Sequence, residues 1–299
     1  MTPRMTHDAA TSWPSISQRL LPIFSLFYQK FPDYGPLVFL DTETTGLKDG
    51  DVIELAAISV DYYPNLGRAE MDAFCQLIYP GPGTIMPPWV IEIHGITNEM
   101  LRKHGCHPRD VFASFVHWAR EKSPKYFVAH CAPFDKGMLE WDFSKHGIEY
   151  DFPEFLCTVK MAKGLPTENR KLGTLAAHYD FPNRQAHRGL ADSEVCAYIF
   201  AKMMLTRPLM GQVATIMGDL PTLSKEQAEE LLKQLGARVT KRLSPKTTIA
   251  VMGNNCDQRL AKAVEMGAEI KNEEWLKSLE SENQFLDCEA LGVSGGLSI

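Results

Sequence analysis

The sequence predicts an α/β protein with a larger unit, a mixed five-stranded β-sheet flanked by helices, followed by a small α/β unit. Strand patterns at residues 38–47, 52–61 and 73–79 are joined by short connections, which favours an antiparallel meander. Helical and strand patterns then alternate to residue 205, and the alternation resumes beyond Pro208. A length of 299 residues, 44% of them apolar and 23% charged, suits one large domain or two ordinary domains.

The stretch VFLDTETTGL at residues 38–47 places two carboxylates at the end of an apolar strand. Because side chains alternate along a strand, we expect Asp41 and Glu43 to point to the same face of the sheet. Poorly solvated acids repel each other, and a bound divalent cation offsets that repulsion. Taken alone, the pattern is equally compatible with a strand end that carries two solvated acids and a Thr-Gly turn.

Overall charge and cysteine usage narrow the class of protein. A net charge of −6 does not indicate a general nucleic-acid binder, although metal-dependent nucleases carry acidic centres. The seven cysteines are scattered and never form C-x-x-C, which argues against a disulfide framework and a thiolate zinc site and favours a reducing cytoplasm. In residues 1–34, an apolar stretch containing Pro22 is too short to span a membrane and predicts an N-terminal arm or docking helix.

The remaining elements of the larger unit carry further candidate site residues. His94 and Gly95 are expected in a loop before Thr97, which can cap a short helix. The later elements are predicted as a helix at 110–121, a strand at 125–130, a helix ending at Gly147, a strand at 155–159 and a helix at 171–181. Asp135 lies in the first turn of one helix, and His187 lies in the loop before the helix that contains Asp192.

Asp41, Glu43, Asp135, His187 and Asp192 all lie near the ends of elements in this unit. Hard carboxylate oxygens without thiolate partners suit Mg²⁺ or Mn²⁺. A pair of such ions is typical of enzymes that cleave phosphodiesters by in-line attack. A histidine whose ordinary pKa is near neutrality suits removal of a proton from the attacking water. Each residue alone has a structural interpretation, such as an acid that stabilises a helix N-terminus, but together they favour a two-metal phosphodiesterase.

Three motifs carry a family resemblance: DTETTG at 41–46, H-x3-FD at 130–135 and HRGLAD at 187–192. They resemble the exonuclease motifs of the DEDDh 3′ to 5′ exonucleases, which include the proofreading epsilon subunit of bacterial replicative polymerase, ribonuclease T and oligoribonuclease. IHGIT at 93–97 is similar to the segment that this family places against the terminal nucleotide. The resemblance covers about residues 35–205 and implies a ribonuclease H-like fold.

The resemblance implies a role for each matching residue. Asp41, Glu43 and Asp192 would hold one metal ion, and Asp41 would also reach a second ion. Asp135 would hold the second ion through water, and His187 would be the general base. The residues that would line the pocket of the 3′ nucleotide are Thr44, Gly46, Leu47 and His94.

One position departs from the family pattern. Cys131 follows His130 where the family usually has asparagine. Because this position supports the loop before Asp135 and is not itself a ligand, we expect an altered rate rather than lost activity. A Cys131→Asn variant with unchanged activity would fit a purely structural role.

A basic segment accompanies the acidic motifs. Residues 158–188 contain two acids and six basic residues, namely Lys160, Lys163, Arg170, Lys171, Arg184 and Arg188. Such a segment beside an acidic centre can follow a phosphate backbone, and the alternative is a solvated loop and helix face.

The smaller unit, at about residues 209–281, resembles a BRCT domain in its order of elements. Trp275 matches the buried tryptophan of that family, whereas Ala237 stands where a second glycine is common. Met217 occupies the position where phosphate-binding members have serine or threonine, which puts phosphopeptide binding in doubt. We expect residues 282–299 to form a flexible tail. The basic run that can contact DNA, or simply be solvated, consists of Arg238, Lys241, Arg242 and Lys246.

These observations favour a 3′ to 5′ exonuclease that uses two Mg²⁺ or Mn²⁺ ions and releases mononucleotides from DNA ends, in repair or proofreading. Its BRCT-like domain would direct it to DNA or to a replication or repair protein. The first alternative is an exoribonuclease, because the same ligand set serves DNA and RNA enzymes and discrimination of the 2′-OH depends on the shape of the pocket. The second is a scaffold that binds DNA ends without cutting them.

Overall fold

The computed structural model describes residues 5–47, 50–181 and 188–290, and the chain divides into two compact units between residues 202 and 203. The elements that precede or cross this division are α1 (His7–Lys30), β1 (Leu37–Thr44), β2 (Val52–Tyr63), β3 (Arg68–Leu77), α2 (Pro88–His94), α3 (Asn98–His104), α4 (Pro108–Lys122), β4 (Tyr126–Ala129), α5 (Ala132–Lys145), β5 (Glu154–Cys157), α6 (Thr158–Met161), α7 (Leu172–His178) and α8 (Gly189–Thr206). Those that follow are β6 (Val213–Met217), α9 (Lys225–Gln234), β7 (Arg238–Val239), β8 (Ile249–Met252), α10 (Asp257–Glu265), β9 (Glu269–Lys271) and α11 (Glu273–Ala290).

The first unit contains a five-stranded mixed sheet in the order β3-β2-β1-β4-β5. Strands β1, β2 and β3 pair antiparallel, as the meander prediction requires, whereas β4 and β5 pair in parallel. Glu43 of β1 stands opposite Glu54 of β2, and the register shifts between Glu43 and Thr44. The predicted α/β class and mixed sheet are therefore confirmed.

Alternate residues of β1 face two different helical layers. Val38 and Leu40 belong to the buried cluster that also contains Phe112 of α4 and Phe143 of α5. Phe39 instead contacts Phe24 of α1 and Phe200 of α8, with ring centroids 5.4 Å apart in both pairs. Asp41 and Glu43 continue the side of the strand that Phe39 occupies, because the side-chain period of a strand is two.

The second unit is a parallel sheet in the order β7-β6-β8-β9, with α9, α10 and α11 as its helices. Ser224 caps α9 in a capping box with Gln227, which confirms the predicted start of that helix. Ile216, Leu232 and Val251 are part of its buried cluster. The three-residue strand β9 was not predicted, because Glu269 and Lys271 leave it only one apolar residue.

Several predicted boundaries differ from the structure. The strand expected at 155–159 ends at Cys157, and Thr158 begins α6. His94 lies in α2 and not in a loop, because Pro88 begins that helix and Gly95 ends it in the left-handed conformation.

The last helix also differs from expectation. Trp275 is only partly buried and lies under the ammonium group of Lys271, 5.3 Å from the ring centroid, whereas the adjacent Leu276 is fully buried. Helix α11 continues to Ala290, so part of the segment predicted as a flexible tail from residue 282 is helical.

Two further features, membrane-spanning helices and cysteine pairing, concern the described part of the chain as a whole. None of its helices is long and apolar enough to cross a membrane. The six cysteines whose side chains are described are all free thiols.

Candidate active site

Three carboxylates converge at the end of β1. Asp41, Glu43 and Asp192 each offer an oxygen atom, and these atoms lie within 4.8 Å of one another. Asp192 reaches the cluster from the first turn of α8, where its side chain is buried. Among the described residues this is the one group of three or more histidine, cysteine or acidic side chains with such spacing.

Helix α8 is held against β2 where it begins. The backbone N–H of Gly189 donates a 2.8 Å hydrogen bond to Oε2 of Glu54. A Cβ atom at Gly189 would lie 2.9 Å from Cβ of Ala56 and 3.0 Å from Oε2 of Glu54, so a larger residue would displace the start of the helix. Three residues later, Asp192 is thereby directed toward β1.

Sequence reasoning missed Glu54, which is 1% exposed. A guanidinium nitrogen of Arg188, Nη2, lies 3.8 Å from Oε1 of Glu54. Arg188 therefore contacts the acidic centre and does not serve only as a member of the exposed basic segment. The signal was present in the sequence as a single acid inside the apolar run VIELAAIS.

Asp135 approaches β1 from α5. Its side chain is 2% exposed, and its Oδ1 accepts hydrogen bonds from N–H (3.1 Å) and Oγ1 (2.9 Å) of Thr42. Thr42 points to the opposite face of β1 from Asp41 and Glu43, because side chains alternate along a strand. Asp135, which binds Thr42, therefore lies outside the group of three carboxylates. It is nevertheless close enough to Asp41 to raise the pKa of that carboxyl group.

The protein balances the negative charges of the site only in part, through Arg188, which lowers the pKa of Glu43. Burial, together with Asp135 and Glu43, raises the pKa of Asp41 well above its ordinary value. Burial, together with Glu54 and Asp192, raises the pKa of Glu43 to about 8. Burial raises the pKa of Asp135 to about 7, against the hydrogen bonds from Thr42, which lower it. A divalent cation would relieve this excess, and an all-carboxylate donor set suits a hard cation.

The residues predicted to bind the terminal nucleotide lie on two segments. Oγ1 of Thr44 donates to the carbonyl oxygen of Gly46 at 2.8 Å, and Leu47 in the same turn is 76% exposed. His94 is buried at the end of α2, where its Nδ1 accepts from N–H of Ile96 at 3.0 Å. That bond leaves Nε2 as the protonated nitrogen of the neutral ring. The predicted general base, His187, lies outside the described residues.

The second motif has a distinct local geometry. His130 is neutral near pH 7, because burial lowers its pKa to about 4, and its Nδ1 lies 2.9 Å from Oγ1 of Thr158. Cys131 caps α5 with a φ of 66°, in the left-handed region that asparagine tolerates better than most residues. The backbone at Cys131 thus has a conformation that an asparagine side chain would also tolerate.

Four basic residues of the segment predicted at 158–188 are exposed in the part of the chain that the structure describes. Lys160, Lys163, Arg170 and Lys171 are exposed, and Arg170 Nη1 donates to the carbonyl oxygen of Val159 at 3.0 Å. Arg184 lies outside the described residues. Among its described residues, the basic segment thus presents these four exposed cations in α6 and in the stretch from α6 to the start of α7.

The mixed sheet and the clustered carboxylates define an α/β protein with a group of acidic side chains that could hold a metal ion. The Exonuclease (RNase T) family model matches residues 38–200, and the BRCA1 C Terminus (BRCT) domain model matches residues 205–280. The chain belongs to the Exonuclease family and carries a C-terminal BRCT domain. The family recognised from the sequence motifs is therefore confirmed.

The chain is similar to one curated protein and two solved structures that can be named. DNA polymerase III PolC-type of Bacillus cereus is 33% identical over 171 residues, which cover 56% of this chain and 11% of that protein. The chain thus spans about a tenth of that relative's length. Exonuclease I of E. coli, solved with a dT13 oligonucleotide, is 15% identical with a TM-score of 0.50, covering 58% of this chain and 42% of that one. The nuclease domain of 3′hExo, described as a DEDDh family member bound to rAMP, is 18% identical with a TM-score of 0.48. The match covers 57% of this chain and 92% of that one.

Proposed function

We propose that this chain is a 3′ to 5′ exonuclease that depends on Mg²⁺ or Mn²⁺ and releases nucleoside 5′-monophosphates from DNA 3′ ends. The observation that carries the proposal is the convergence of Asp41, Glu43 and Asp192 within 4.8 Å in a chain of the Exonuclease family. The raised pKa values of Asp41 and Glu43 supply the electrostatic reason for binding a cation.

Each residue of the proposed site has a distinct task. Asp41, Glu43 and Asp192 would hold one cation, with Asp41 shared by a second, which Asp135 would hold through water. When bound, the two cations would supply Lewis-acid activation of the phosphodiester and of the attacking water. His187 would take the proton from that water, and the turn from Thr44 to Leu47 together with His94 would orient the terminal nucleotide.

An assay with labels at defined ends tests polarity and substrate together. Single-stranded DNA, mismatched duplex DNA and RNA would each carry a fluorophore at either the 3′ or the 5′ end. With Mg²⁺, we expect a 3′ label to appear at once on a mononucleotide and a 5′ label to appear on a ladder of shortening products. The reverse pattern would exclude the proposed polarity, and release from RNA alone would favour the exoribonuclease. No metal-dependent release from any substrate would exclude the enzyme and favour the end-binding scaffold.

The BRCT domain supplies a second nucleic-acid contact in this proposal. Arg238 on edge strand β7 and Lys241, Arg242 and Lys246 in the following loop are all exposed. No acid occurs between residues 236 and 256, so no neighbour in that segment neutralises them. Met217 is 2% exposed and has no hydroxyl group, which disfavours the phosphopeptide alternative. We therefore favour the DNA backbone as the partner of this edge over a replication or repair protein.

Charge reversal tests this contact. The double variant Lys241→Glu and Arg242→Glu is expected to weaken DNA binding by about tenfold in EDTA. It should also lower the slope of the logarithm of the affinity against the logarithm of the salt concentration, by the equivalent of about two phosphate contacts. Lys225→Glu on α9, which also reverses an exposed lysine of this unit, serves as the control. Equal affinities for the double variant and the control would contradict a role of this edge in DNA binding.

A further inference from the structure

Helix α1 precedes residues 38–200, the part of the chain that the Exonuclease family model matches. One face of this helix is nevertheless almost completely buried. The residues of that face, each no more than 2% exposed, are Ile16, Leu20, Phe24, Phe27 and Tyr28. The first four follow one another at intervals of three or four residues, and Tyr28 follows Phe24 by four, which is the pattern of one helical face. Helix α1 is therefore an integral layer of the exonuclease unit.

The buried face of α1 contacts both elements that carry the carboxylate cluster. The ring of Phe24 lies 5.4 Å from that of Phe39, which precedes Asp41 by two residues on β1. The ring of Phe27 lies 5.7 Å from that of Phe200 on α8, the helix that carries Asp192. Helix α1 thus connects β1 and α8 through one aromatic cluster.

A bidentate ion pair links α1 to α8 close to the site. Arg19 Nε lies 2.5 Å from Glu194 Oε1, and Arg19 Nη2 lies 2.9 Å from Glu194 Oε2. Glu194 is 5% exposed and follows Asp192 by two residues. Because the planar guanidinium group matches both carboxylate oxygens, this pair restrains the rotation of α8 about its axis more than a single bond would.

The first two turns of α8 are held at two further points. Glu54 accepts from N–H of Gly189 at 2.8 Å, and Oγ of Ser193 donates to the carbonyl oxygen of Ala56 at 3.4 Å. Both of these contacts are to β2, whereas Arg19 approaches from α1. Asp192 lies between these restrained positions. Successive side chains on a helix differ in direction by about 100°, so the direction of Asp192 depends on how far α8 is rotated about its axis.

We infer that Arg19 is a positioning residue for the metal site. Its ion pair with Glu194 fixes the rotation of α8 that places Asp192 beside Asp41 and Glu43. A helix outside the part of the chain matched by the family model is therefore required for the geometry of the metal ligands. The inference rests on the proposed function for its kinetic readout, and cation binding provides a readout that does not require activity.

The experiment measures Mn²⁺ affinity by calorimetry in the full-length protein, alongside kcat and KM for single-stranded DNA. Arg19→Ala is expected to weaken Mn²⁺ binding and lower kcat by about tenfold each, with KM changed less than twofold. Arg19→Lys, which keeps the charge but not the planar guanidinium group, should recover part of both losses. Glu194→Gln keeps the side-chain shape and should give intermediate values.

Two variants separate positioning from stability. Tyr28→Phe removes hydrogen bonds from α1 to the carbonyl oxygens of Gly35 (2.9 Å) and Val60 (3.0 Å) without touching the ion pair. Arg68→Ala removes an exposed arginine paired with Glu70 on β3. Both are expected to leave Mn²⁺ affinity unchanged. The inference is overturned if Arg19→Ala binds Mn²⁺ as tightly as Tyr28→Phe does. An inactive wild-type protein whose Mn²⁺ affinity still falls on Arg19→Ala would refute the proposed function but not this inference.

Discussion

Replacement of Asp41 by asparagine is expected to lower the rate of nucleotide release by about 10³-fold or more. Asparagine keeps the shape of the side chain but removes the negative charge, and Asp41 is the proposed ligand of both cations. Single-turnover release of the terminal nucleotide at saturating enzyme measures the chemical step. Asp61→Asn, at the opposite end of β2 from Glu54, is the matched control and should retain the wild-type rate.

The same substitution is expected to change stability in a way that depends on pH. The pKa of Asp41 is raised in the folded state, and that of Glu43 is raised from 4.5 to about 8. In this interval the folded protein holds protons that the unfolded chain has released, so the contribution of these two groups to stability is greatest at acid pH and falls as the pH rises to about 8. Without metal, Asp41→Asn should therefore have a higher Tm than the wild type at pH 8, by about 3 °C or more, and a smaller difference at pH 5.

Metal ions should reverse that order at pH 8. Mn²⁺ is expected to raise the Tm of the wild type more than that of Asp41→Asn, because only the wild type offers the full carboxylate set. Thermal unfolding with and without EDTA measures the effect. A variant with wild-type activity would contradict the role of Asp41 as a shared ligand. A wild-type Tm that does not fall between pH 5 and pH 8 in EDTA would contradict the electrostatic description of the site.

Local patterns in the sequence predicted the elements that carry the site. Period-two alternation placed Asp41 and Glu43 on one face of β1, and the structure brings their oxygens within 4.8 Å. The caps of α3 at Thr97 and of α9 at Ser224 were also predicted, because capping depends on residues only three positions apart. Such signals lie within one turn or one strand and therefore survive in the sequence alone.

The contacts that orient these elements were not predictable in the same way. Glu54 and Gly189 are 135 residues apart, and Arg19 and Glu194 are 175 residues apart. Each pair forms only after the sheet and the helices have packed. Glu54 stands out as an acid in an apolar run, but nothing in the sequence identifies Gly189 as its partner, and Arg19 and Glu194 look like ordinary charged residues. The bond between Asp135 and Thr42 has the same origin, because these residues are 93 positions apart in the chain.

Gly218→Ala is expected to lower the free energy of unfolding of the BRCT unit by about 3 kcal/mol or more. Gly218 follows β6 with a φ of 80°, and a Cβ atom there would lie 2.1 Å from the carbonyl oxygen of Asn254. The loops after β6 and β8 are joined by backbone hydrogen bonds, Gly253 N–H to Met217 O at 2.8 Å and Asn254 N–H to Asp219 O at 2.7 Å. The added methyl group must therefore break these bonds or separate the ends of two parallel strands.

A second glycine isolates the effect of that close approach. Gly267, after α10, has a φ of 75°, but a Cβ atom there would meet nothing within 4 Å. Gly267→Ala should therefore lose only about 1–2 kcal/mol, the cost of a left-handed backbone for a residue with a side chain. Hydrogen exchange of peptides from β6 and β8, followed by mass spectrometry, measures the stability of this unit separately from the exonuclease unit. Equal losses in the two variants would show that the loops separate easily and that backbone conformation alone makes glycine necessary at position 218.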